Sequence, residues 1–195
     1  MSEKVGQFEL SELLGGYEII NKPVDKLPQD VASAIGNINS SILGATFQPI
    51  WYVGKQVVNG VNHFFIAEEI RATKDRDTAI VGIIINIPPG EGAIKGEGAK
   101  IVRIIEEEKL SSEVQASFET VTKSLIGTSY KAIAYLGSQV VKGVNHAVIC
   151  QAKTIYPGAV PYAVVMTFNV FQGRTSLVSI VPLADRQVFG YAFTW

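Results

Sequence analysis

The sequence predicts an α+β fold made of two similar modules, each an antiparallel β-sheet packed on one α-helix. The first observation behind this prediction is an internal repeat. Leu43–Ile66 returns 83 residues later as Ile126–Ile149, with twelve of the twenty-four aligned positions identical. The second is that each copy holds one amphipathic stripe of helical period followed by segments rich in aromatic and β-branched residues. A repeat of this kind indicates tandem modules, which we place at residues 10–97 and 98–195.

One helix is predicted at the start of each copy. In residues 24–43, apolar side chains recur at steps of three and four, which is the period of a helix with one buried face. The second copy repeats the stripe in Val114, Phe118, Val121 and Leu125. Ser112 and Gln115 have the spacing of a capping box, and a glycine follows each stripe, as expected at a helix C-terminus.

Three strands are predicted after each helix, with a tight hairpin between the first two. They are Thr46–Val53, Val61–Ile70 and Ala79–Ile87 in the first copy, and Ser129–Leu136, Val144–Thr154 and Tyr162–Val170 in the second. A further strand-like segment, Ile101–Ile105, lies where the two modules join. It can close the first sheet or open the second, and its sequence is compatible with both.

Composition narrows the class of protein. Of the 195 residues, 47% are hydrophobic and 18% are charged, which is typical of a packed globular chain. The formal net charge of −1 does not suggest a nucleic-acid or membrane-surface partner. Because the N-terminus has no secretory signal pattern and no run of eighteen apolar residues occurs, we expect a cytoplasmic protein.

No catalytic, metal or cofactor site is predicted, so the chain is not expected to be an enzyme. The side chains that could suggest a catalytic or metal site are His63, His146 and Cys150. His146 and Cys150 are four residues apart in a predicted strand, and four strand residues span roughly 13 Å, too far for a Cys–His dyad. We therefore interpret all three as structural strand residues.

The segment Gln56–Ile66 resembles the signature of the cystatin family, whose members are reversible inhibitors of papain-like cysteine proteases. That family carries Gln-Val-Val-Ala-Gly, and this chain has Gln-Val-Val-Asn-Gly at Gln56–Gly60. The pair Gly15-Gly16 precedes the helix, as in the stefin-like members, and Pro88-Pro89-Gly90 follows a later strand where those members have a second hairpin loop. The resemblance covers most of Gly15–Gly90.

The resemblance implies a binding wedge. In the family, an N-terminal trunk and two hairpin loops form one edge that enters the protease cleft, and no catalysis is involved. A papain-like cysteine protease is therefore the expected partner. The protease-binding residues that the resemblance implies are Gly15, Gly16, Gln56, Val57, Val58, Asn59, Gly60, Pro88, Pro89 and Gly90. Lys55–Asn59 is accordingly expected to be an exposed loop with both valines open to solvent.

The second copy repeats the loop as Gln139, Val140, Val141, Lys142 and Gly143. It is expected to bind less well, since a charged Lys142 stands at the small residue of the family and Phe171-Gln172-Gly173 replaces the proline loop. A second interpretation stays open for the whole chain. It is a non-inhibitory scaffold of the same fold that associates with itself or binds a ligand through its valine loops.

Overall fold

The structure is a computed structural model that describes residues 18–24, 26–74 and 77–183. These residues form two α-helices, nine β-strands and one short 3-10 turn. In chain order the elements are β1 (Glu18–Pro23), α1 (Gln29–Ser41), β2 (Ala45–Val58), β3 (Gly60–Arg71), β4 (Thr78–Ile87), the 3-10 turn (Ala93–Lys95), β5 (Lys100–Ile105), α2 (Ser112–Ser124), β6 (Thr128–Val141), β7 (Gly143–Thr154), β8 (Tyr162–Phe171) and β9 (Arg174–Pro182).

The strands form two antiparallel sheets. One sheet has the order β1-β2-β3-β4-β5, and the other has the order β6-β7-β8-β9. The chain also divides into two compact units, and among the described residues the boundary between them falls between Glu106 and Glu107. Each sheet lies in its own unit. The predicted module bounds, 10–97 and 98–195, stay a prediction.

The predicted α+β class, with two tandem cystatin-like modules that each pack a sheet on one helix, is wrong. The protein is mainly β, because strands make up more than half of the described residues and only two α-helices occur among them. The error came from underestimating strand length. β2 and β6 have 14 residues each and β3 and β7 have 12, whereas each α-helix has 13.

Apolar residues are buried on both faces of the first sheet. On β3, Phe65 and Ala67 share one cluster with α1, whereas Phe64 and Ile66 point to the other face and are equally buried. The helix supplies only three buried members to that cluster, Val31, Ala34 and Ile38. The strands supply the other members, which are Phe47, Tyr52, Phe65, Ala67, Val81, Ile83, Ile85 and Ile87. Burial on both faces explains why β4 reads as an almost continuous apolar run.

The ends of both α-helices differ from the predicted ends. α1 begins after Pro28, whose ring fits the start of a helix but offers no side-chain cap. α2 is capped by Ser111, whose hydroxyl accepts from Val114 N at 3.5 Å, so the cap lies one residue before the predicted Ser112. No helix in the described ranges is long and apolar enough to cross a membrane.

The join between the repeats belongs to the first sheet. β5 pairs with β4 in the register Gly82↔Ile105 and Ile83↔Ile104. The 3-10 turn before it packs on α1, where Asn37 Nδ2 donates to Lys95 O at 2.8 Å and to Gly96 O at 3.1 Å. These contacts fix the segment that connects β4 to β5 against the helix. The pairing of β5 with β4 places Ile101–Ile105 in the first sheet, a point that the sequence left open.

Candidate functional site: two exposed divaline hairpins

The turn at the tip of the β2–β3 hairpin contains a single unpaired residue, Asn59. Val57 pairs with Val61 and Val58 with Gly60, so only Asn59 lies outside the ladder. Val57 is 81% exposed and Val58 43% exposed. The predicted exposure of both valines is confirmed, but the loop is tighter than expected, because Lys55–Val58 belong to β2. Gln56, further from the tip, is partly buried in the strand.

Two of the predicted binding segments lie side by side at this tip. Gly60 has a φ of +92°, and a Cβ there would overlap the Ile87 carbonyl oxygen and lie 2.9 Å from Pro88 Cα. The tip therefore rests directly on the end of β4, where Pro88 is half-buried and Pro89 and Gly90 are exposed. Only glycine permits this approach and this backbone conformation together.

An asparagine pair holds the tip in place. Asn86 Nδ2 donates to Asn62 Oδ1 at 2.9 Å and to the carbonyl of Asn59 at 3.4 Å. The same arrangement recurs in the second unit, where Asn169 Nδ2 donates to Asn145 Oδ1 at 2.8 Å and to Lys142 O at 3.3 Å. These bonds tie the turn to the neighbouring strand. Sequence reasoning missed them, although both asparagines recur at the 83-residue spacing and that recurrence was the available signal.

A tyrosine–histidine pair lies below each tip. The Tyr52 hydroxyl and His63 Nδ1 are 2.5 Å apart, and the Tyr52 ring stacks on Phe65 with a centroid distance of 4.4 Å. In the second unit, the Tyr135 hydroxyl and His146 Nδ1 are 2.7 Å apart. The prediction that both histidines are structural strand residues is confirmed, since they lie on β3 and β7. Their tyrosine partners were not predicted.

Burial sets the electrostatics of these pairs. Desolvation lowers the pKa of His63, and nearby Lys55 acts in the same direction while Asp30 opposes it. Burial also lowers the pKa of His146, against an opposing contribution from Glu113. Burial is likewise the main cause that raises the pKa of the Tyr52 hydroxyl. Burial therefore favours the neutral form of both imidazoles, and a neutral ring has one nitrogen that can accept from the phenol O–H.

We expect these histidines to make the fold less stable in mild acid. The folded pKa of each lies below the unfolded value of about 6.5, so the unfolded chain takes up protons first as the pH falls. The free energy of unfolding should stay level above about pH 7 and decrease from about pH 6.5 to about pH 5, before most carboxylates titrate. Urea titrations across this range measure the decrease.

The control uses the fact that the chain has only two histidines. In the double variant H63Q/H146Q no imidazole remains, so the slope of unfolding free energy against pH should vanish in this window even if the absolute stability differs. An unchanged slope in the double variant would show that other groups titrate there.

The β6–β7 hairpin reproduces the first tip with one change. Val140 pairs with Val144 and Val141 with Gly143, which leaves Lys142 alone at the tip. Val140 is 84% exposed and Val141 45% exposed. A Cβ on Gly143 would lie 2.5 Å from Val170 O and 2.9 Å from Phe171 Cβ, so this tip too rests on the end of a neighbouring strand.

Four further predicted residues are Gly15, Gly16, Cys150 and Gln139. Gly15 and Gly16 lie outside the described residues. Cys150 is fully buried on β7 and hydrogen-bonds the Val148 carbonyl at 3.6 Å. Burial raises the pKa of its thiol, so Cys150 is an inert core residue. Gln139, the counterpart of Gln56, is a partly buried strand residue on β6.

The fold and the two tips together define a mainly β protein that presents a rigid apolar hairpin from each of two sheets. No protein-family model matches this chain, and no curated protein matches it in sequence. The functional assignment therefore depends on the chemistry of the tips.

Proposed function

We propose that this chain is a reversible inhibitor of papain-like cysteine proteases and that the first tip enters the active-site cleft. The observation that carries the proposal is the exposure of Val57 and Val58 on a one-residue turn beside Pro88. The two adjacent valines give the tip an exposed apolar surface, which is the kind of surface that a protein partner can cover. The Gln-Val-Val-x-Gly motif, which resembles the cystatin signature, suggests that this partner is a papain-like cysteine protease.

Binding energy would come from burying the valines. A fully buried valine contributes about 1.5–3 kcal/mol before the costs of association. The tip loses little conformational freedom on docking, since the ladder and the Asn86 hydrogen bonds already order it. In this proposal the wedge would block the cleft through apolar contact and would take no part in catalysis itself.

The remaining parts of the proposed wedge are the Pro88–Gly90 segment and the glycine pair. Pro89 and Gly90 are exposed next to the tip and offer a second contact edge. Gly15 and Gly16 would bend past the cleft without a Cβ. A cytoplasmic location, without a nucleic-acid or membrane partner, belongs to the same proposal.

Val57→Asp should weaken inhibition of papain by at least about tenfold, because a carboxylate would have to be desolvated at the apolar contact. The measurement is residual protease activity across a titration with the full chain. Leu43→Asp is the matched control, since Leu43 is 99% exposed and lies two residues before the start of β2, whereas the tip is at the end of that strand. It introduces the same charge and should leave inhibition unchanged.

Two results would overturn the proposal. One is equal inhibition by the wild type and the Val57→Asp chain, which would move the contact away from this tip. The other is no inhibition of any papain-like protease by the wild type. Far-UV circular dichroism of each variant checks that the fold is intact.

The second candidate function is a non-inhibitory scaffold that associates with itself through its tips. The observation that favours it is the near-identical exposure of the valines in both units, including the tip that carries a charged Lys142. Sedimentation of the wild type and of V57D/V140D over a range of concentrations separates the candidates. Concentration-dependent dimers that the double variant abolishes, without protease inhibition, would favour the scaffold.

A further inference from the structure

The two tips differ in charge although their backbones match. Lys142 stands where the first tip has Asn59, and the exposed Arg174 stands where the repeat places the exposed Glu91 in the first unit. No salt bridge of the described residues involves Lys142 or Arg174. The second tip therefore presents two cations, whereas the corresponding positions of the first hold a neutral and an acidic residue.

Phe171 lies next to both cations, through its ring for Lys142 and through backbone pairing for Arg174. Lys142 Nζ lies 5.5 Å from the centre of the Phe171 ring, a cation–π distance. Arg174 pairs with Phe171 across the β8–β9 turn, which Gln172 and Gly173 close with positive φ values of 49° and 72°. The exposed Lys142 thus has a ring contact on the neighbouring strand, and Arg174 follows on the β8–β9 hairpin.

We infer that the second tip binds papain-like proteases whose cleft is rimmed by carboxylates, and that Lys142 and Arg174 select them. The inference rests on the proposed function. Val140 and Val141 supply the apolar contact, and the cations supply complementarity to an acidic rim. Charges at the rim of an interface act mainly on association rate and on discrimination between partners. Lys142 thus sets the specificity of the second tip.

The test uses full-length chains in which one tip is disabled. V57D leaves only the second tip intact, and V140D leaves only the first. The probes are two papain-like proteases, one with acidic and one with basic residues flanking the active-site cleft. The V57D chain should inhibit the acidic-rimmed enzyme at least about tenfold better than the basic-rimmed one at low salt. Salt at about 0.5 M should reduce this preference.

Reciprocal substitutions supply the matched controls. Adding K142N and R174E to the V57D chain installs the first-unit residues and should remove the preference without exposing any core residue. Adding N59K to the V140D chain should transfer part of the preference to the first tip, because residues 59 and 142 hold the same place in the two hairpins. Both changes lie on exposed positions, and thermal denaturation verifies that stability is retained.

The outcomes separate this inference from the proposed function. If the V57D chain inhibits both proteases equally, or K142N/R174E leaves the preference unchanged, the charge selection is wrong and the inhibitor function stands. If the V57D chain inhibits neither protease while the wild type does, the second tip is not a protease site. Failure of the wild type on both enzymes refutes both ideas. Binding of the V57D chain to phosphatidylserine vesicles without inhibition would assign the tip to an anionic membrane instead.

Discussion

Phe65→Ala is expected to lower the free energy of unfolding by about 3–5 kcal/mol. Phe65 is fully buried on β3, belongs to the cluster shared with α1, and stacks on Tyr52 at 4.4 Å. Truncation removes apolar burial and leaves a cavity beside the Tyr52–His63 pair, which a rigid sheet cannot close. Urea denaturation measures the loss, and amide exchange of β2–β4 assigns it to the first unit.

Two other substitutions serve as controls for the Phe65→Ala loss of stability. Val148, the repeat counterpart of Phe65, is also fully buried but smaller, so Val148→Ala should cost less and should affect exchange in β6–β8. Val57→Ala removes methyl groups from an exposed side chain and should change stability by no more than about 0.5 kcal/mol. A Phe65→Ala loss as small as that of Val57→Ala would mean that the described core is wrong at this position.

Gly60→Ala is expected to displace the first tip and to abolish the protease inhibition proposed for it. The substitution has two costs. A residue with a side chain at a φ of +92° is strained by about 1–3 kcal/mol, and the new Cβ would overlap the end of β4 at Ile87 and Pro88. Relieving that overlap adds about 1–3 kcal/mol or moves the tip. Thermal denaturation and the papain titration measure the two consequences separately.

Gly44→Ala separates strain from overlap. Gly44 has a φ of +100°, but a Cβ there would meet nothing within 4 Å. This variant should show the strain alone, with inhibition unchanged. If Gly44→Ala and Gly60→Ala destabilise equally and both retain inhibition, the contact between the tip and β4 is unimportant for function.

Sequence reasoning located the exposed tips because their signal is local. Paired valines between bounding glycines, repeated in the same context, predict a tight hairpin without knowledge of its neighbours. Helix positions followed from periodicity, although the ends moved by a few residues. The contacts of Asn86 with Asn62 and of Tyr52 with His63 could not be derived in this way. Each joins side chains of different strands, and their proximity depends on the register between those strands.

The sequence pattern also did not predict how much of the buried core comes from the helix and how much from the strands. The stripe of α1 predicted a helix correctly, but it did not show that α1 contributes only three buried residues to a cluster dominated by strands. Strand length was underestimated because Gly54 and Gly60 indicated a turn over Lys55–Asn59, a segment that includes the polar Lys55 and Gln56. They nevertheless continue the β2 ladder, pairing with His63 and Asn62. A polar residue on one face of a hairpin does not end a strand.

By itself, the sequence determined the repeat, the order of the local elements and the exposed valines at each tip. Only the tertiary structure decided which sheet includes Lys100–Ile105. The repeat matches Ile101–Ile105 with residues 18–22 of β1, which pairs with β2, yet β5 pairs with β4. The physical reason is that a strand's own residues specify an extended backbone and two alternating faces, whereas its N–H and C=O groups can pair with any open edge. The partner is chosen by the packing of the whole sheet.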